Sequence, residues 1–156
     1  MNATALLLTL ALPAAFIWPL GPPRPEVVRP WAPPPSPYAP GHRGVDLAAP
    51  PGAPVRASAA GSVTFAGEVA GRGTLTITLP STGDPPLRTT YTPVDPTVER
   101  GTKVAAGEVV ARVSAAPAHC PESCLHWGLL RGDVYLNPLP LIHRPPSRLL
   151  PVIEVR

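Results

Sequence analysis

The six residues Thr74–Leu79 read TLTITL, with Thr alternating against Leu and Ile. A period of two sends alternate side chains to opposite faces, so this segment predicts a half-buried β-strand. Three more short runs read as strands: SVTFAG (62–67), EVVARV (108–113) and LHWGLL (125–130). Between Gly41 and Pro138 no apolar run recurs at helical spacing, so this part of the chain is expected to be all-β.

A repeat organises these strands. GAPVRASAAGSV (52–63) and GTKVAAGEV (101–109) both begin G-x-x-V-x-A, then reach a Gly followed two residues on by a Val. Gly52, Val55, Ala57, Gly61 and Val63 correspond to Gly101, Val104, Ala106, Gly107 and Val109. The expected logic is a turn glycine free to take positive φ, a core valine, a small residue for close approach, and a second glycine turning into another strand. Two such units predict a pseudo-symmetric antiparallel β-sandwich or flattened barrel. Biotinyl and lipoyl carrier domains use a similar repeat, but they need a lysine at a hairpin tip. Lys103 stands before a strand instead.

Composition supports the β reading. The chain has 156 residues, 26 of them proline, which stops helices and is confined in sheets to edges and turns. A formal net charge of +3, with no Lys/Arg run and no cluster of basic and aromatic residues, gives no nucleic-acid footprint. Residues 1–20 are nearly all apolar but interrupted by Pro13 and Pro19, and are expected to be an export signal or membrane tether. Residues 21–40 are Pro-rich and expected to be an extended linker, with Val27, Val28 and Trp31 available to pack on the domain. The β domain is then 41–143, with a Pro-broken tail over 144–156. Asp95 before Pro96 reads as a turn former, and Arg131-Gly132-Asp133 as a hairpin turn.

Candidate chemistry sits at the two ends of this domain. His42 and Asp46, spaced i, i+4, point the same way in a strand or a helix. In CLHWGL (124–129), Cys124 and His126 share one face of a strand, and Leu125 and Trp127 the other. His126 can therefore join His42 and Asp46 around one ion. Two imidazoles and a carboxylate suit Zn²⁺, and three protein ligands leave a fourth position open.

HRGVDL, the G-x-x-V-x-A repeat, a Tyr-centred segment, and LHWGL followed by NPL occur here in the order seen in lysostaphin-type zinc endopeptidases of bacterial cell walls. The resemblance runs from about Gly41 to Leu139. It implies zinc ligation by His42, Asp46 and His126, an antiparallel β core with the site in a groove, and peptidoglycan peptides as substrate. An exported, monomeric, metallopeptidase-like domain is the expectation.

The pattern also breaks. Two further histidines do acid–base work in the family, and their places here are Cys124 and Pro93. Three readings are open. Another residue substitutes, with His119 as proton handler and Tyr91 as oxyanion stabiliser. Or Cys124 is a fourth zinc ligand. Or Cys124 pairs with Cys120 across C-P-E-S-C, the reading preferred for an exported chain whose only cysteines are these two. The alternative to an enzyme is a cell-wall binding or hydrolase-regulating module that keeps the zinc site.

Overall fold

The computed structural model describes residues 15–36, 38–115 and 120–142. His119, most of the apolar N-terminal segment and the 144–156 tail lie outside the described residues. The elements are β1 (Val27–Arg29), β2 (Val45–Ala48), β3 (Pro54–Arg56), β4 (Gly61–Val69), β5 (Arg72–Leu79), β6 (Leu87–Thr92), β7 (Val94–Pro96), β8 (Lys103–Val104), β9 (Val109–Val113), β10 (Cys124–Arg131), β11 (Val134–Leu136) and a short helix α1 (Leu139–Ile142). All pairings are antiparallel. One sheet runs β1-β2-β10-β6-β5-β4-β8, with β11 also pairing β10, and a three-stranded sheet runs β3-β9-β7.

The repeat folds as a reciprocal exchange. The first strand of copy one, β3, pairs with the last strand of copy two, β9. The first strand of copy two, β8, pairs with the last strand of copy one, β4. Loop bonds follow the same rule: Ala57 N–H donates to Glu108 O and Gly107 N–H to Ala57 O, while Val63 N–H donates to Thr102 O and Gly101 N–H to Val63 O. Gly52 and Gly101 take the positive φ expected of turn glycines (81° and 95°), where a Cβ would strain the backbone. Gly61 acts differently. Its backbone passes so close to Thr78 O that a Cβ would collide with it.

The two repeat copies differ in burial, and one expectation needs correction. Val63 is buried, whereas its counterpart Val109 is exposed and Val110 is buried instead. The register shifts at Val55/Arg56 opposite this strand, and one extra residue moves the apolar set to the next position. Asp95 is not in a turn. It lies in β7, paired with Arg112 on the edge of the small sheet.

The core is aliphatic, with Tyr91 and Trp127 as its large aromatic members. The Pro-rich run is extended but docked. Its β1 pairs β2 as an edge strand, and Val27 and Trp31 pack against the core while Val28 is exposed. Residues just before it also dock: Ile17 N–H donates to Ser58 O, Arg56 N–H donates to Pro19 O, and Leu20 is buried. No helix among the described residues is long and apolar enough to cross a membrane.

Candidate metal centre

Two strands and one loop converge on the site. Asp46 on β2 stands directly opposite His126 on β10, because their Cα atoms are register partners. His42 enters from the loop before β2, held by a two-way bridge. Its N–H donates to Ala32 O, and Ala32 N–H donates to His42 O. The Pro-rich run therefore supplies one wall of the site.

The ligand atoms meet closely. His42 Nε2 lies 3.0 Å from Asp46 Oδ1 and 3.1 Å from His126 Nδ1, and His126 Nδ1 lies 2.7 Å from Asp46 Oδ1. A carbonyl can only accept, so His42 Nδ1, 2.7 Å from Pro30 O, carries the proton and Nε2 offers its lone pair to the cluster. This is the outer bond that fixes tautomer and ring orientation in metal-ligating histidines. Asp46 is fully buried, His42 nearly so, and His126 is 17% exposed, which gives the cluster one route to the surface.

The donor set fits Zn²⁺. Bonds of about 2.0–2.2 Å to a tetrahedral centre place donor atoms about 3.3–3.6 Å apart. The observed separations of 2.7–3.1 Å are shorter than that, by about 0.2 Å to somewhat under 1 Å, so outward side-chain shifts of that order accommodate the ion. A buried carboxylate facing two imidazole nitrogens is also the donor chemistry expected for it.

A glycine shapes the second histidine's seat. A Cβ on Gly44 would come within 2.6 Å of His126 Nε2 and 2.6 Å of Trp127 O. Gly44→Ala must therefore push the imidazole or the strand. Disturbing a ligand's support typically costs about 10–100-fold in metal affinity. That loss is the expected outcome of a competitive zinc titration of this variant, with the β fold retained.

One position that breaks the family pattern, and the proposed oxyanion stabiliser, are also accounted for. Cys124 is bonded to Cys120, so the pairing preferred from the sequence is the one present. Tyr91 lies in the core. Its hydroxyl accepts from Ser58 N–H at 3.0 Å and donates to Ser58 Oγ at 3.1 Å, and burial pushes its phenol above the usual range. It does not join the ligand cluster. Tyr91→Phe would leave the buried Ser58 N–H without this acceptor, at a cost of about 1–3 kcal/mol in urea unfolding. Zinc content should be unchanged.

Beside the centre, Arg43 helps line an open groove of about 500 Å³ with Trp31, Pro34, Asp133 and Tyr135. Its guanidinium carbon lies 6.0 Å from the centre of the Tyr135 ring.

Residues 40–138 match the model of peptidase family M23. The chain belongs to peptidase family M23. The match takes in all three candidate ligands and both halves of the repeat. M23 peptidases are zinc-dependent, act on peptidoglycan peptides and are typically extracytoplasmic. An uncharacterized protein of Mycobacterium tuberculosis strain H37Rv is 41% identical over 140 residues, covering 86% of this chain and 54% of its own length. The chain thus spans about half the length of that curated relative. Among solved structures, LytU is 25% identical with a TM-score of 0.65, covering 79% of this chain and 88% of its own. The catalytic domain of the antimicrobial peptidase lysostaphin from Staphylococcus simulans shares the lysostaphin-type fold, with a TM-score of 0.63 at 20% identity, covering 76% of this chain and 92% of its own.

Sequence reasoning missed two contributors to the M23 site, the Pro30 carbonyl and the space at Gly44. A carbonyl leaves no trace in residue identity. Gly44 is visible in HRGVDL, but the ring that needs its missing side chain is 82 positions away along the chain.

Proposed function

We propose that this M23 domain holds one Zn²⁺ through His42 Nε2, Asp46 Oδ1 and His126 Nδ1, and binds peptidoglycan peptides at the bacterial cell envelope without efficient hydrolysis. One observation carries the reading. The three ligand atoms converge, while the two places of the family's acid–base histidines hold Pro93 and the disulfide-bonded Cys124. Proline has no side-chain proton to move, and a disulfide sulfur has none either. Losing general acid–base help typically costs about 10²–10⁴-fold in rate.

When bound, zinc supplies a Lewis acid able to grip a carbonyl or carboxylate oxygen. The chain's own residues do the rest. Pro30 O orients His42, and Asp46 neutralises part of the cation's charge. The groove bearing Arg43, Trp31 and Tyr135 offers cationic and aromatic surface to a peptide that carries carboxylates. Tyr91 serves the core. The disulfide fits an oxidising, extracytoplasmic compartment.

The test is sedimentation of the zinc-loaded protein with intact peptidoglycan, alongside release of new amino groups. The expected result is co-sedimentation that a chelator weakens, with no release above background. Zinc-dependent release of amino groups would instead establish a hydrolase that uses another proton handler, His119 being the sequence's candidate.

A further inference from the structure

We infer that Cys124 is a fourth metal ligand of the reduced chain, so that formation of the Cys120–Cys124 disulfide converts a closed metal site into an open one. The inference rests on the three-ligand reading above. Two donor clusters share one carboxylate: His42, Asp46 and His126 form the first, and Asp46, Cys120 and Cys124 the second, with the donor atoms in each all within 4.8 Å of one another. Register explains the overlap. On β10, Cys124 and His126 are two residues apart and share a sheet face, and across the ladder they oppose Ala48 and Asp46 on β2. The Cys124 side chain is fully buried, and its sulfur lies within 4.8 Å of an Asp46 carboxylate oxygen.

In the oxidised chain the sulfur is tied to Cys120 and groups with it rather than with the imidazoles. Breaking that bond frees rotation at χ1, and a change of rotamer swings a cysteine sulfur by about 3 Å. The sulfur starts within 4.8 Å of the Asp46 carboxylate, so a swing of that size is comparable with the gap to be closed. Two imidazoles, a carboxylate and a thiolate form a filled four-coordinate zinc set with no position for another ligand. The bridge then takes over the sulfur and leaves three protein donors and an open position.

The redox step balances with thiols as the reductant. The S–S bond breaks, two protein S–H groups form, and two reductant thiols become one disulfide. When the Cys124 sulfur binds the metal, its proton leaves to solvent. Before oxidation the chain has the four-donor set, and in an oxidising compartment it has the three-donor set.

Cobalt(II) is the probe, because a thiolate bound to it adds a sulfur-to-metal charge-transfer band that imidazole and carboxylate do not. The band should be absent from the oxidised protein and appear on reduction with a phosphine. It should be present without reductant in Cys120→Ser, which frees Cys124 permanently, and absent under all conditions in Cys124→Ser. Reduced wild type and Cys120→Ser reach the same state by independent routes. Cobalt bound without the band in both, a band retained in reduced Cys124→Ser, or loss of the β-sheet signal on reduction would each overturn the inference. Failure of the oxidised protein to bind cobalt at all would instead count against the three-ligand site.

Discussion

Asp46→Asn should remove zinc from the purified protein, taking metal content from one per chain to background. The substitution keeps the volume and one carbonyl oxygen but deletes the only anionic donor of the oxidised cluster. Asp46 is fully buried and sits 2.7 Å from His126 Nδ1 and 3.0 Å from His42 Nε2. A dication placed there beside two imidazoles loses the carboxylate charge of the cluster where water cannot replace it. Changes to outer partners of metal ligands cost about 10–100-fold in affinity, and removal of a ligand should exceed that range. Elemental analysis after gel filtration reads the effect directly. The Cys120–Cys124 bridge and the far-ultraviolet β signal should persist. Full zinc occupancy in Asp46→Asn would place the ion elsewhere.

The second large effect is on folding. Trp127 is 1% exposed, its ring centre is 6.1 Å from that of Trp18, and its Nε1–H donates to Thr89 Oγ1 at 2.8 Å. Truncating a buried aromatic to alanine typically costs about 3–5 kcal/mol, against a total of about 5–15 kcal/mol for a domain. Thr89 is itself buried and would lose this partner as well, which pushes Trp127→Ala towards the upper end of that range. Urea unfolding in the presence of a chelator isolates the packing term, since bound zinc would add stability by mass action. A midpoint change near zero would mean that Trp127 is not the centre of the core. Its sequence neighbour His126 points to the other face, which is how one strand serves both core and site.

Much of this arrangement was legible because it depends on local period and on residue type. TLTITL, SVTFAG and LHWGLL lie in strands, as does EVVARV from its second residue on, and the G-x-x-V-x-A repeat proved to be two interlocked copies. What escaped was set by partners remote in sequence. The bulge that buries Val110 in place of Val109 arises from register with β3. Asp95 follows a proline-broken segment that reads as a turn, and becomes a strand residue only because β9 lies alongside it. The Pro-rich run reads as a linker from composition, yet it supplies an edge strand and the Pro30 carbonyl behind His42. Tyr91 shows the limit of residue type as a guide. A tyrosine near a metal motif suggests a hydrogen-bond donor to substrate, whereas the fold engages its hydroxyl with Ser58.

Zinc K-edge X-ray absorption on the oxidised protein tests the central claim most directly. The account predicts one zinc with imidazole scattering from two histidines, light-atom neighbours at about 2.0–2.2 Å, and no sulfur shell at about 2.3 Å. A sulfur shell in the oxidised protein, or a bound zinc without histidine scattering, would contradict it.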